Sequence, residues 1–354
     1  MSRFLSSRYQ TLEPYTPGEQ PKNMGKLIKL NTNENPYPPA AGALRVIDDE
    51  ELQKLRLYSD PEAAPLVEAI AENFGLAADQ VMVGNGSDEV LAFIFMAFQN
   101  DTRKIYYPEI SYSFYPVYCE TFGAEGVPVP LREDFIVAPE DYFAAEGTII
   151  ITNPNAPTGR ALSLSEIESI LQHNRENLVV IDEAYVDFGA ESAVCLIDRY
   201  DNLLVVQTFS KSRSLAGARI GYAMGDASII ADLNRIKFSF NPYNLNRLSI
   251  LAGVEAMKDR AYFESTCQQI IKTREHFVQQ METLGFTVLP SKANFIFATS
   301  GKISGEEYFT KLRKYNIIVR HFGNPKICDY VRITIGTPEE MQALVEATAE
   351  LLEK

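Results

Sequence analysis

The sequence predicts an α/β fold, and three features carry that expectation. Three short apolar runs, Thr148–Thr152, Leu178–Ile181 and Leu203–Val206, have the length and bounded apolar character of buried strands. Each run delivers a polar group at or just past its end: Asn155, Asp182 and Lys211 respectively. Parallel-type strands of open α/β sheets present their C-terminal ends to ligands. Finally, the stretch 286–354 alternates short strands and helices, which predicts a smaller α+β domain after the large one.

Lys211 is the most informative of the three polar groups. A lysine ammonium is costly to desolvate, so burial lowers its pKa and frees the amine as a nucleophile, as a Schiff-base lysine requires. Ser210 is adjacent and Arg219 lies eight residues on; both could hold an anion such as a phosphate. Ser, Lys and Arg are also common in loops, so a basic surface loop between strand and helix fits the same stretch.

Length and charge narrow the classes. The chain has 354 residues, enough for a large domain plus a smaller one. Its 46% hydrophobic content is ordinary for a globular protein. A net charge of −14 argues against nucleic acid or an anionic membrane as partner. The longest apolar stretch, Val90–Phe98, is too short to span a bilayer, and Met1–Leu5 lacks the apolar core of a signal peptide. Cys119, Cys195, Cys267 and Cys328 are widely spaced and read as free thiols of a reducing cytosol. Three scattered histidines offer no metal-ligand spacing. The expectation is a cytoplasmic protein that uses no metal.

In chain order, residues 1–40 read as an arm, with turn chemistry at Tyr15–Pro21 and a short strand at Leu27–Leu30 that Asn31–Tyr37 breaks. Residues 41–250 form the large domain and 251–354 the small one. A helix over Ala64–Phe74 ends at the C-cap Gly75. The strand Val81–Val83 runs into Gly84-Asn85-Gly86-Ser87-Asp88 and an apolar helix. A glycine turn opening a helix is an anion site, because free amides point at the ligand. The third glycine of a dinucleotide fingerprint is missing, so NAD binding is rejected. Ser87 and Asp88 are expected to offer backbone amides to a phosphate, since the Asp88 carboxylate would repel it. Ser163–Glu166 is a capping box. Helical patterning runs from Gly221 to about Phe240, and again from Leu251 to Leu284, where Gly285 stops a long helix that links the domains. Thr337–Glu340 starts the last helix, which carries Met341, Leu344, Val345, Leu351 and Leu352 on one face with Thr348.

Together, Thr148–Gly159, Asp182-Glu183-Ala184-Tyr185 and Ser210–Arg219 resemble the fold-type I enzymes dependent on pyridoxal 5′-phosphate (PLP), specifically the aminotransferases. The resemblance covers nearly the whole chain. It implies a large domain with a mainly parallel central sheet, a smaller C-terminal α+β domain, and a homodimer with shared active sites. It implies that Lys211 forms the Schiff base with PLP, that Asp182 keeps the pyridinium nitrogen protonated, and that Tyr185 bonds the ring's O3′. Ser210 and Arg219 would bind the phosphate and Tyr112 would stack on the ring, although core packing also suits that tyrosine. One position departs. The family's N-P-T-G turn reads Ala156-Pro157-Thr158-Gly159 here, with Asn155 one residue early. Either Asn155 takes over the O3′ contact or Tyr185 holds it alone; Asn155 is the expectation.

Finer motifs resemble the histidinol-phosphate branch of that family. They are Asn33-Glu34-Asn35-Pro36-Tyr37-Pro38-Pro39, Ile318-Val319-Arg320-His321-Phe322 and Tyr330-Val331-Arg332-Ile333-Thr334. Leu57-Tyr58-Ser59-Asp60-Pro61 is similar to the family's R-Y-P-D-P, which would send Tyr58 to the partner subunit's phosphate site. Asn33 would belong to the substrate loop, and Arg332 and Arg320 would bind the substrate's anionic group. An ordinary turn tyrosine and solvated strand arginines are the plain alternatives. The implied reaction is transamination of L-histidinol phosphate with 2-oxoglutarate. An aromatic or broad-specificity aminotransferase has the same parts. A threonine-phosphate decarboxylase fits less well, and a PLP-sensing regulator would need a DNA-binding module for which this acidic chain has no spare residues.

Overall fold

The structure is a computed structural model that describes residues 3–6, 9–21, 27–99 and 104–353. Its centre is a seven-stranded sheet of β2 (Val81–Asn85), β3 (Lys104–Pro108), β4 (Gly126–Val129), β5 (Gly147–Thr152), β6 (Val179–Asp182), β7 (Leu203–Thr208) and β8 (Ile220–Gly225). The strand order is β2-β8-β7-β6-β5-β3-β4. The pairs among β3 to β7 are parallel; β8 alone runs against both its neighbours. The sheet is therefore mainly parallel, as the apolar runs imply. Its strands are buried on both faces, so their sequences lack polar alternation. Ile149, Ile151, Val179, Ile181 and Val205 face one core; Ile150, Val180, Leu204 and Val206 face the other. Helices Ala64–Phe74, Leu164–His173 and Arg247–Lys258 cover the first face. Helices Gly86–Phe98 and Ala227–Phe240 cover the second.

A second, four-stranded antiparallel sheet joins β9 (Phe286–Val288), β10 (Phe295–Ser300), β12 (Arg320–His321) and β13 (Tyr330–Thr334) in the order β12-β13-β10-β9. Its core is separate, built from Phe277, Phe295, Ile296, Ile333 and Leu344 among others. The short strand β1 (Ile28–Lys29) pairs in parallel with β11 (Ile317–Ile318), which ties the N-terminal arm to this second unit.

Two helical expectations need correction. The segment Leu251–Leu284 is not one helix. It breaks at Asp259 into Arg247–Lys258 and Arg260–Thr283. Asp259 has non-helical backbone (φ −87°, ψ 64°) and its carboxylate accepts the amide of Tyr262, so it caps the second helix. The residues after Gly221 begin as a strand, β8, and turn helical only at Ala227, where Asp226 accepts the amide of Ser228. Ile220–Gly225 is buried throughout, and a fully buried apolar run of that length carries no period to separate strand from helix.

Candidate active site

One cavity of about 450 Å³ lies where the C-terminal ends of β5, β6 and β7 meet β12, β13 and the arm. Thr152, Asp182, Tyr185, Thr208, Ser210 and Lys211 reach it from the sheet. Ser87 and Asp88 reach it from the first turn of helix Gly86–Phe98, and Tyr112 and Arg219 from neighbouring loops. Arg320 and Arg332 line it from the second unit; Tyr15 and Asn31–Glu34 line it from the arm. Of the thirteen residues expected at the site, eleven therefore share this one space.

Asp182 stands at the cavity floor. It is 3% exposed; its Oδ2 accepts the hydroxyl of Tyr115 at 2.9 Å and its Oδ1 accepts the amide of Ala184 at 3.3 Å. No cation pairs with it among the described residues. Burial therefore pushes its carboxyl up from 3.8 to about 6. Tyr115 also shares a 2.7 Å hydrogen bond with Thr152. Tyr115 is a functional residue that sequence reasoning did not single out. A fully buried tyrosine needs a partner for its hydroxyl, but only the fold shows which one.

The Lys211 amine donates to the Thr32 carbonyl at 3.0 Å and lies 5.8 Å from the Tyr185 ring centroid. Desolvation, then the nearby charge of Arg332, pull its pKa from 10.5 down to about 8. The segment that meets it is held by asparagines. Asn35 Nδ2 donates to the Lys211 carbonyl at 3.0 Å. Asn33 takes a left-handed conformation (φ 57°), which asparagine tolerates, and its amide nitrogen donates to the Tyr185 hydroxyl at 3.0 Å. Its Oδ1 accepts the hydroxyl of Thr334. Glu34, at the same rim, pairs with Lys29.

At the opposite end, Arg219 lies over Gly86. A Cβ at Gly86 would sit 2.4 Å from Arg219 Nη2, and the glycine's φ of +79° is also in the left-handed region. Arg219 Nη2 donates to Asp88 Oδ2 at 2.8 Å, and the Tyr112 hydroxyl donates to Asp88 Oδ1 at 2.7 Å. The Asp88 carboxylate thus faces the cavity, where the sequence suggested a contribution from its amide alone.

The two arginines of the second unit are cross-strand partners: Arg320 on β12 sits in register with Arg332 on β13. Arg332 Nη2 donates to the Asn31 carbonyl at 2.9 Å, while its buried Nε has no partner. Burial, with Arg320 nearby, lowers the Arg332 pKa. Arg320 reaches the Thr16 carbonyl at 3.4 Å. Like charges directly opposite each other on a sheet are unfavourable without an anion between them.

Two expected residues lie elsewhere. Asn155 does not line the cavity. Its amide donates to the Ile110 carbonyl at 2.9 Å and to Thr158 Oγ1 at 3.0 Å, so the turn consumes its donors and turns the side chain away. Ala156 and Pro157 line the cavity instead. Tyr58 is 82% exposed and stacks on Tyr243 at 4.5 Å, outside the cavity.

These side chains suit one kind of ligand. An unpaired buried carboxylate asks for a cationic group, Lys211 offers an amine to a carbonyl, and the Gly86 turn with Arg219 offers donors to an anion. PLP, with its protonatable ring nitrogen, aldehyde and phosphate, satisfies all three demands.

Comparisons agree with that reading. The chain is 54% identical to a histidinol-phosphate aminotransferase of Acinetobacter baylyi over 346 residues, which is 97% of this chain and 96% of that protein. The crystal structure of the histidinol-phosphate aminotransferase from Clostridium acetobutylicum aligns with a TM-score of 0.85 at 27% identity, covering 92% of this chain and 99% of that one. The Sinorhizobium meliloti histidinol-phosphate aminotransferase, solved in complex with pyridoxal-5′-phosphate, shares the fold with a TM-score of 0.87 at 23% identity over 99% of both chains. The sequence model of the class I and II aminotransferases matches residues 25–347, and this chain belongs to that family.

Proposed function

We propose that the protein transfers the amino group of L-histidinol phosphate to 2-oxoglutarate, giving imidazole acetol phosphate and glutamate in histidine biosynthesis. The observation that carries the substrate choice is the cross-strand pair Arg320 and Arg332, both facing the cavity, one with an unpartnered buried Nε. Two guanidiniums opposite each other suit a phosphate, which carries nearly two charges and offers several acceptor oxygens. A plain amino acid presents one carboxylate to the same pair.

Bound PLP supplies an electron sink at the carbon that carries the substrate amine. Lys211 would hold it; as a free amine, Lys211 is lowered to about 8 by desolvation and by Arg332, which suits it to act as a base when not bonded to the cofactor. Asp182 would face the ring nitrogen and keep it protonated. Tyr185, braced by Asn33, would orient the ring oxygen. Ser87, the amide of Asp88, Ser210 and Arg219 would take the phosphate, and Tyr112 would cover the ring. Lys211 Nζ would be the base that takes the proton from the amine-bearing carbon, and its place is marked by the hydrogen bond it donates to the Thr32 carbonyl at 3.0 Å.

We further infer a C2 homodimer with shared sites. Tyr58 and Tyr243 stack in the open, beside exposed Leu55, Leu57 and Phe240. A partner subunit seated here would remove these apolar side chains from water. Tyr58 would cross to the partner's phosphate site. Mixed dimers of Tyr58→Ala and Lys211→Ala chains should place both lesions in one site and leave the other intact; verified heterodimers without activity would argue against sharing. A cytoplasmic location agrees with four free cysteines, and among the described residues no helix is long and apolar enough to cross a membrane and no cluster could hold a metal.

The function is tested by an amino-donor panel with 2-oxoglutarate as acceptor, reading glutamate formation. Histidinol phosphate should give the highest kcat/KM. A preference for phenylalanine or tyrosine would replace this reading with an aromatic aminotransferase.

A further inference from the structure

The phosphate end of the cavity holds a carboxylate, which is the wrong charge for an anion site. Asp88 lies in the first turn of the thirteen-residue helix Gly86–Phe98, where the helix dipole favours a negative side chain. Its two oxygens are divided between two cavity-lining groups: Oδ2 accepts from Arg219 Nη2 at 2.8 Å and Oδ1 accepts from the Tyr112 hydroxyl at 2.7 Å. Its carbonyl accepts the hydroxyl of Tyr118 at 2.8 Å, which fixes the turn itself. Arg219 needs such a hold. Its side chain is 45% exposed, its backbone is left-handed (φ 53°), and a free arginine loses much rotamer entropy when a ligand fixes it.

We propose that the Asp88 carboxylate is a positioning residue for cofactor binding: it fixes Arg219 over Gly86 and the Tyr112 ring beside it before the ligand arrives. This rests on the reading that PLP occupies the cavity. Two opposing effects meet at one residue. The carboxylate repels a phosphate, yet it fixes the guanidinium that attracts one. The second effect outweighs the first only while Arg219 is present, because the guanidinium both neutralises Asp88 and receives the benefit of the pairing. Remove Arg219, and Asp88 is left as a bare negative charge beside the phosphate.

The sign of the effect therefore reverses between two backgrounds, which a merely structural role would not produce. The experiment is a double-mutant cycle of Asp88→Asn and Arg219→Gln, read as the dissociation constant of PLP from the apoprotein by absorbance titration. Thermal protection by inorganic phosphate gives a second readout. Asp88→Asn alone should weaken PLP by about tenfold, the scale of one charge-assisted hydrogen bond. In the Arg219→Gln background the same substitution should tighten PLP binding, and protection by inorganic phosphate should follow the same pattern. Asp88→Glu, which keeps the charge, should lose less affinity than Asp88→Asn and serves if the Asn variant folds poorly. Tightening in both backgrounds would mean simple repulsion, and equal weakening in both would mean a general structural role; either overturns the proposal. Wild-type protein that binds no PLP would instead overturn the underlying reading of the cavity.

Discussion

Replacing Asp182 with Asn should make the apoprotein more stable and the enzyme far slower. In the structure the Asp182 carboxylate is buried without a cation, and its carboxyl is raised from 3.8 to about 6. That difference corresponds to about 3 kcal/mol against folding once the group is ionised in both states. The sign follows from the raised folded pKa. The penalty is absent below pH 3.8, grows as pH rises to 6, and is full above it. An Asn at this position removes the charge but accepts one hydrogen bond where Asp182 accepts from both Tyr115 and Ala184, a loss of about 1 kcal/mol. The net gain in apoprotein stability at pH 7.5 should be about 2 kcal/mol; it should cross zero as pH falls from 6 towards 4, and below pH 3.8 the Asn variant should be about 1 kcal/mol the less stable. Urea denaturation of both apoproteins across that pH range measures it. With PLP bound the balance reverses, because a neutral amide cannot hold a protonated ring nitrogen. The loss in kcat/KM should be on the order of 3–5 kcal/mol, while binding through the phosphate persists. An Asp182→Asn apoprotein less stable than wild type at pH 7.5, or a variant with near wild-type rate, would refute the assignment of Asp182 as an uncompensated carboxylate awaiting a cation.

Two further outcomes concern Lys211. Protein loaded with PLP should be yellow, and borohydride should fix the cofactor on the peptide that contains Lys211; a label elsewhere would remove this lysine from the chemistry. In the apoprotein, acylation of Lys211 should be half-maximal near pH 8 rather than 10.5, because desolvation and Arg332 lower its pKa. The folded pKa lies below the unfolded one, so the buried amine destabilises the fold below pH 8 and this penalty fades as pH rises to 10.5. A peptide-mapped acylation profile checks the first statement, and a midpoint near 10.5 would contradict it.

Much of this was legible in the sequence because the sheet delivers its chemistry through short, wholly apolar strands. Val179–Ile181 and Leu203–Val206 announce themselves by composition, and Asp182 and Lys211 are conspicuous where such runs end. What was not legible depends on distance in the chain. The bond from Tyr115 to Asp182 spans 67 residues, and that from Arg219 to Asp88 spans 131. Nothing local to either partner specifies them. Asn155 misled because its type fits a cofactor contact, whereas its place in the turn lets the Ile110 carbonyl and Thr158 take its donors first. The break at Asp259 was hidden because apolar residues keep helical spacing on both sides of it, and only the capped amide of Tyr262 reveals the new start. The arm carries Tyr15 into the cavity, stacked on Phe114 at 4.3 Å, although its sequence shows only turn chemistry.

The most direct test of the substrate assignment is the pair Arg320→Ala and Arg332→Ala, each assayed with histidinol phosphate and with phenylalanine as donor and 2-oxoglutarate as acceptor. The two arginines are register partners on adjacent strands, but only Arg332 is anchored deep in the cavity wall through Asn31. Arg320→Ala should lower kcat/KM for histidinol phosphate by roughly 2–3 kcal/mol more than for phenylalanine, the worth of a charged hydrogen bond to phosphate. Arg332→Ala should damage both donors. A wild-type preference for phenylalanine, or an Arg320→Ala variant that loses both donors equally, would contradict the histidinol-phosphate reading.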